Sequence, residues 1–96
     1  MPIQSFSDKQ AENFFISGVT GKGIGWKSIS NVVRRKLDIL NYAAELKDLL
    51  AMPGNNLEIL KGDLKEYYSI RINNQWRIIF KWLDNGAYNV RITDYH

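Results

Sequence analysis

Three side chains of this sequence have types suited to proton transfer or to binding an anion. His96 is the single histidine of the chain, and an imidazole with its ordinary pKa of about 6.5 can give or take a proton near neutral pH. Arg77 carries a planar guanidinium that can contact two phosphate oxygens at once, whereas Lys61 would act as a point charge. Judged from the residues alone, a terminal histidine is more simply a frayed chain end. For the two cations the alternatives are an ordinary surface arginine at Arg77 and a solvated strand-end lysine at Lys61.

Asp94 and Tyr95 directly precede the histidine. The tyrosine could stack on a base or donate a hydrogen bond to a phosphate oxygen, and the aspartate could orient His96 or an arginine, or accept a proton. Strict alternation along the last strand puts Asp94 on a buried phase, opposite Trp76. Either the strand ends or bulges before Asp94, or this residue is a buried structural acid.

The first half of the chain predicts mainly helices, which would pack against the strands that position these residues. Residues 3–6 could form an edge strand, and Ser7 is a good N-cap for a helix that should stop at Gly18. Apolar residues at three- and four-residue spacing predict a long amphipathic helix over residues 27–44. A second helical segment is expected over residues 45–50.

The second half predicts strands over residues 57–60, 67–72, 76–83 and 88–93. One phase of the last three strands is apolar and should be buried under the helices: Tyr68, Ile70, Ile72, Trp76, Ile78, Phe80, Trp82, Tyr88, Val90 and Ile92. The other phase should be open, and it carries at least one cation on each strand: Arg71, Arg77, Lys81 and Arg91.

The turn between the second and third strands sets the register. If Ile72 and Trp76 share a face, the loop must hold an odd number of residues; a three-residue loop over residues 73–75 does so and pairs Arg71 with Arg77. Two like charges placed opposite each other repel. Either an anion lies over both arginines, or both extend into water, where their charges are screened.

Composition limits the classes of protein that fit. A chain of 96 residues with 45% hydrophobic residues predicts one folded domain over residues 1–96. The net charge of +3 permits a nucleic-acid partner without demonstrating one. The absence of cysteine excludes disulfides and thiolate metal sites. No signal peptide or membrane span is recognisable, so the cytoplasm is the expected location.

Several short motifs carry a resemblance to a known family. Their order and spacing are specific only in combination: Leu60-Lys61-Gly62, Trp76-Arg77 and the terminal Asp94-Tyr95-His96. Over nearly its whole length the sequence resembles the HigB-type toxins of the RelE/ParE superfamily, also described as killer proteins of plasmid maintenance systems.

This resemblance implies an α+β fold, a RelE-like antiparallel sheet with two N-terminal helices packed on one face. It implies an endoribonuclease that cleaves mRNA in the A site of the 70S ribosome, by attack of the 2′-hydroxyl on the phosphodiester and without a metal or other cofactor. It also implies a cognate helix-turn-helix antitoxin of the HigA type.

The resemblance also assigns residues. Those that it implies for catalysis are Lys61, Arg77, Asp94, Tyr95 and His96. Those expected to bind RNA are Arg71, Lys81, Arg91 and Lys65. Many members carry histidine where this chain has Glu58, and a carboxylate is a base rather than an acid at neutral pH. If Glu58 faces the site, it could be the base and His96 the acid; if it faces water, it has no catalytic role.

Other interpretations remain open. The basic run Arg34-Arg35-Lys36 is interpreted as a solvated helix face, with a contact to ribosomal RNA or antitoxin as the alternative. The same fold could bind the ribosome or an antitoxin without cutting RNA, which the replacement of histidine by Glu58 favours. A small DNA-binding regulator is a further alternative, although no recognition helix is evident.

Overall fold

The computed structural model describes residues 2–62 and 66–94. Three predicted site residues, Lys65, Tyr95 and His96, lie outside the described residues. The regular elements are α1 (Lys9–Ser17), a 3-10 turn (Lys27–Ile29), α2 (Ser30–Tyr42), α3 (Leu46–Ala51), β1 (Glu58–Ile59), β2 (Tyr67–Arg71), β3 (Trp76–Leu83) and β4 (Gly86–Asp94).

The four strands form one antiparallel sheet in the order β1-β2-β3-β4. The N-terminal segment runs parallel to β4, with bridges from Ile3 to Ala87 and from Phe6 to Val90, so the predicted edge strand is a pair of isolated bridges. The predicted α+β class is confirmed. No helix of the described part of the chain is long and apolar enough to cross a membrane.

Helix α1 begins one residue later than the sequence predicts. Asp8, not Ser7, is the N-cap: its Oδ1 accepts hydrogen bonds from the backbone N–H groups of Gln10 (3.1 Å) and Ala11 (3.2 Å). Its Oδ2 accepts from the backbone N–H of Ile92, at 3.2 Å. A carboxylate has two oxygens, so Asp8 can cap the helix with one and bind the backbone of β4 with the other. A serine hydroxyl has a single oxygen for both roles. The helix ends at Gly18, as predicted.

The hydrophobic core lies between the helices and one face of the sheet, which we call the core face. Helix α2 contributes Val33, Leu37 and Leu40, all fully buried. The amphipathic helix predicted over residues 27–44 is therefore confirmed over residues 30–42, and a 3-10 turn occupies residues 27–29. The sheet contributes, among others, Ile70, Ile78, Phe80, Val90 and Ile92.

A bulge in β4 changes which side chains reach the core. Lys81 pairs with Tyr88 and Ile79 pairs with Arg91, so two residues of β4 lie opposite Phe80. One of them, Asn89, has a positive φ of 55°, a conformation that asparagine tolerates better than most residues. The prediction that Tyr88 points into the core is wrong, because the bulge places it on the face of Lys81.

The opposite face of the sheet, which we call the second face, carries Ser69, Arg77, Ile79 and Arg91. The sequence predicts that this face is open, and its centre is not. Ser69 and Ile79 are fully buried, and Arg77 is only 6% exposed. The predicted pairing of Arg71 with Arg77 is confirmed. The second face is thus a partly enclosed polar surface without a helical layer of its own in the described residues.

Candidate active site on the second face of the sheet

The guanidinium of Arg77 is held in a fixed orientation near the middle of the second face. Its Nε donates a hydrogen bond to the Ser69 hydroxyl at 2.8 Å. Its Nη2 donates to the Asn56 carbonyl at 2.5 Å and to the Ser69 carbonyl at 3.3 Å. Because these bonds fix the plane of the fork, Arg77 is preorganised in a way that an exposed arginine is not.

Glu58 lies beside this guanidinium. It pairs with Ser69 across β1 and β2, which puts it on the second face. Its Oε1 is 3.8 Å from Arg77 Nη1, and its side chain is 49% exposed. Of the two orientations considered from the sequence, the structure has the one in which Glu58 faces Arg77. So loose and exposed an ion pair contributes little to stability, but it puts a carboxylate next to a fixed cation at the surface.

Arg71 is turned towards the hairpin loop, although it pairs with Arg77 in the sheet. Its Nη2 donates a hydrogen bond to the Asn74 side-chain oxygen. The Asn73 side chain closes the same turn by accepting from the backbone N–H groups of Gln75 and Trp76, both at 2.8 Å. The contact to Asn74 gives Arg71 an acceptor in the turn, next to the strand that carries Arg77.

Two further cations flank the centre of the second face. The Lys81 ammonium is 5.3 Å from the centre of the Tyr67 ring, a cation–π contact. Arg91, on β4, has a buried Nε that lacks a hydrogen-bond partner, the one such side-chain atom identified within residues 2–62 and 66–94. A buried donor without an acceptor is costly, and an anionic ligand could supply the missing acceptor.

Lys61 and Asp94 lie at or just beyond the ends of strands, and neither takes part in the hydrogen bonds from Arg77 to Ser69 and Asn56. Lys61 is exposed and follows β1. Asp94 is the last residue of β4 and pairs with Trp76, so the register places it on the side of the core face. It is exposed, and it accepts a hydrogen bond from Gln75 Nε2 at 3.0 Å. Neither sequence-based alternative is right, because no bulge separates Ile92 from Asp94 and the acid is not buried.

The basic run on α2 is not the uniform solvated face that the sequence suggests. Arg34 is half-exposed, forms an ion pair with Asp38 at 3.4 Å and lies over the Phe15 ring. Lys36 is only 6% exposed. Burial lowers the pKa of Lys36 from its usual value, and the nearby charges of Arg35 and Arg71 lower it further.

Sequence reasoning missed the residues that hold Arg77. Ser69 is a small polar residue that alternates onto the same face of the sheet as the arginines. That position is the one sequence feature that could have identified it as a partner of Arg77. No pattern points to Asn56, because it contributes its backbone carbonyl. Asn55, fully buried in the same loop, follows Pro53-Gly54, where the sequence predicts only a break between elements.

Comparisons with known proteins agree with the fold and with the predicted family. Residues 4–96 match the family described as RelE-like toxin of type II toxin-antitoxin system HigB. Toxin HigB-1 of Vibrio cholerae serotype O1 is 44% identical over 84 residues, covering 88% of this chain and 87% of the relative. Endoribonuclease HigB of Proteus vulgaris is 33% identical over 94 residues, covering 98% and 99%. The predicted resemblance is confirmed, and the predicted enzyme class agrees with this relative.

Solved structures show the same fold at low sequence identity. The YoeB-YefM complex from Staphylococcus aureus contains a chain with a TM-score of 0.61 and 22% identity, with 100% of this chain and 99% of that chain covered. A heterotetrameric YoeB-YefM toxin-antitoxin complex from the same organism gives a TM-score of 0.62 at 23% identity, with the same coverage.

Proposed function

Because this chain belongs to the HigB-like toxin family of type II toxin–antitoxin systems, we propose that it is an endoribonuclease that cleaves mRNA in the A site of the 70S ribosome. The observation that carries the proposal is the pairing of a fixed guanidinium, Arg77, with a half-exposed carboxylate, Glu58, on one face of the sheet. A cation for the phosphate and a base for a hydroxyl are two of the three groups that RNA cleavage needs.

The proposed reaction uses the RNA's own 2′-hydroxyl and needs no metal or other cofactor. Glu58 takes the proton from this hydroxyl as the 2′-oxygen bonds to the adjacent phosphorus. The bond between phosphorus and the 5′-oxygen breaks, and the leaving oxygen receives a proton from His96. The products are a 2′,3′-cyclic phosphate and a 5′-hydroxyl. Each positioned proton-transfer group typically contributes about a hundredfold to ten-thousandfold.

Arg77 stabilises the charge that develops on the phosphorane. Its orientation is set before substrate arrives, so little reorganisation is needed during the reaction. Lys61 adds a second positive charge, Tyr95 stacks on a base or donates to a phosphate oxygen, and Asp94 orients a neighbouring cation or His96. These last roles rest on the family resemblance.

The remaining cations of the second face are proposed to hold flanking phosphates. Arg91 has the strongest structural support, because a phosphate oxygen would supply an acceptor for its buried Nε. Lys81 and Arg71 lie on neighbouring strands of the same sheet. Lys65 joins this group by resemblance. Binding through several phosphates should weaken as the salt concentration rises.

We further propose that a helix-turn-helix antitoxin of the HigA type neutralises this protein in the cytoplasm. The family supports an antitoxin partner. The related solved structures are likewise complexes of a toxin with an antitoxin, YoeB with YefM. The helix-turn-helix type and the cytoplasmic location follow from the resemblance.

The test is induction of the protein in bacteria, followed by transcriptome-wide mapping of 5′-hydroxyl RNA ends. The wild type should produce new ends inside translated codons, and puromycin should suppress them by emptying the ribosomes. Glu58→Gln and His96→Gln should each reduce these ends about a hundredfold or more. Glu12→Gln, which alters a partly exposed carboxylate on α1, is the matched control and should cleave like the wild type.

Other results would assign a different function. Growth arrest with intact mRNA would indicate a module that binds without cutting. Transcriptional changes with no 5′-hydroxyl ends would indicate a DNA-binding regulator. Full cleavage by Glu58→Gln would remove the carboxylate from the mechanism.

A further inference from the structure

A buried asparagine in the loop before β1 joins three elements of the fold. Asn55 Oδ1 accepts a hydrogen bond from Lys36 Nζ of α2 at 2.8 Å. Asn55 Nδ2 donates to the Leu49 carbonyl of α3 at 3.0 Å. The Asn55 carbonyl accepts from the backbone N–H of Arg71 in β2 at 2.6 Å. Both ends of the side chain and the backbone oxygen are therefore used, and the position of this residue is fixed from three directions.

The next residue transmits this position to the candidate active site. Asn56 has a positive φ of 45°, and its carbonyl accepts the hydrogen bond from Arg77 Nη2 at 2.5 Å. A residue in the left-handed region keeps that conformation when its surroundings determine it. The neighbour that is fixed on all sides is Asn55, so the direction of the Asn56 carbonyl depends on how Asn55 is held.

Lys36 is the part of this arrangement that packing alone does not explain. It occupies a buried position in the apolar stripe of α2, where an apolar side chain would avoid the cost of burying a charge. Its Nζ donates to Asn55 Oδ1, at 2.8 Å, and to the Gly54 carbonyl, at 3.4 Å. Both acceptors belong to the loop segment that precedes Asn56, so the lysine holds this segment against the helix.

We propose that Lys36 and Asn55 are positioning residues for Arg77: they fix the loop whose Asn56 carbonyl, together with Ser69, orients the catalytic guanidinium. The inference rests on the proposed role of Arg77 in RNA cleavage. It adds two residues, one of them on the helical layer, that contact no substrate and act through the hydrogen bond between Asn56 and Arg77.

The first experiment measures the orientation of Arg77 directly and does not depend on activity. In a ¹⁵N-labelled protein, the Arg77 Nε–H should exchange slowly with solvent, because it is buried and bonded to Ser69. Asn55→Ala should accelerate its exchange by about tenfold or more, and Lys36→Met should act in the same direction while keeping the bond between Asn55 and Leu49. Unchanged exchange in both folded variants would overturn the inference.

The matched control is Asn41→Ala. Like Asn55, Asn41 forms a side-chain hydrogen bond to another segment of the chain. Its Oδ1 accepts from the Ile3 N–H at 3.3 Å, so it ties α2 to the N-terminal segment. This variant should lower the melting temperature without changing the exchange of the Arg77 Nε–H. If Asn41→Ala accelerated that exchange as much as Asn55→Ala, the effect would be general loosening and the inference would fall.

The second experiment is a double-mutant cycle in ribosome-dependent mRNA cleavage at saturating ribosomes. Asn55→Ala should lower the cleavage rate constant by about tenfold to a hundredfold in the wild-type background, the cost of a small misplacement of a reacting group. In an Arg77→Lys background it should lower the rate no further. Equal losses in the two backgrounds would show that Asn55 acts independently of Arg77. Wild-type cleavage by Arg77→Lys would instead refute the proposed role of Arg77, whatever the exchange data show.

Discussion

The two faces of the sheet are both buried at their centres, but different interactions bury them. On the core face, apolar residues such as Phe80 and Ile78 are fully buried and belong to the same hydrophobic cluster as the apolar residues of α2. On the second face, a charged residue, Arg77, is almost as buried and is held by hydrogen bonds to Ser69 and Asn56. Apolar packing stabilises the fold but does not fix the orientation of a side chain, because the hydrophobic effect is non-directional. Hydrogen bonds to a buried charge contribute less net stability, and they do fix the orientation of that charge. The core face should therefore determine whether the protein folds, and the second face what it can do.

The largest effect on stability is expected from the core face. Phe80→Ala should lower the free energy of unfolding by about 3–5 kcal/mol, because it removes a fully buried ring and leaves a cavity. This is a large share of the roughly 5–15 kcal/mol typical of a folded domain. Urea denaturation measures it. A loss below about 1 kcal/mol would contradict the division between the faces.

On the second face, the largest effect should be on cleavage. Arg77→Ala should reduce the rate of mRNA cleavage by about a hundredfold to a thousandfold, as for the loss of one preorganised charge-stabilising group, while destabilising the protein less than Phe80→Ala does. Arg34→Ala is the matched control, because it removes a half-exposed arginine of α2 and should leave cleavage nearly unchanged. Equal cleavage by the two variants would contradict the comparison.

A smaller effect is expected where α1 meets the edge of β4. Asp8→Ala removes the N-cap of α1 and the acceptor for the Ile92 N–H. It should cost about 0.5–2 kcal/mol of stability, the usual range for an N-cap. Asp8→Ser would retain a cap, so it should recover part of this loss. If Asp8→Ser were as destabilised as Asp8→Ala, the contact to β4 would be the dominant contribution of Asp8.

The smallest effect concerns the pH dependence of stability. Burial, together with the charges of Arg35 and Arg71, lowers the pKa of Lys36 below 10.5 in the folded protein. Between the lowered value and 10.5 the unfolded chain binds more protons, so stability rises with pH. Lys36→Met removes this contribution, and the wild type should gain stability relative to the variant as pH approaches 10.5. A difference that is constant with pH would contradict the lowered pKa.

Much of the fold could be predicted because alternation and helical spacing follow from the shapes of strands and helices. The bounds of β3 and the pairing of Arg71 with Arg77 are confirmed. The bulge at Asn89 could not be predicted, because asparagine fits both an extended and a left-handed backbone. The position of Tyr88 on the second face depends on this bulge, so it could not be predicted either.

The candidate site was predictable in its charged residues more than in their supports. Arg77 was identified from type, phase and resemblance, whereas the orientation of Glu58 was left open from the sequence; in the structure the two side chains lie together. One of the groups that bind Arg77 is the backbone carbonyl of Asn56. One of the groups that bind Asn55 is Lys36, a lysine 19 positions away in the sequence. A sequence pattern contains neither, because a carbonyl is common to all residues and a long-range contact depends on how the layers pack.

The pairing of the N-terminal segment with β4 has a consequence for the order of folding. Asn89 N–H bonds to the Ser5 side chain and Ile92 N–H to that of Asp8, and in each case the two residues are 84 positions apart. Closing a loop of this length carries an entropic cost that is recovered only when the contacts form. During synthesis, this margin of the sheet can be completed only after β4 has emerged. A translation product that stops earlier leaves the start of α1 without its anchor on the sheet.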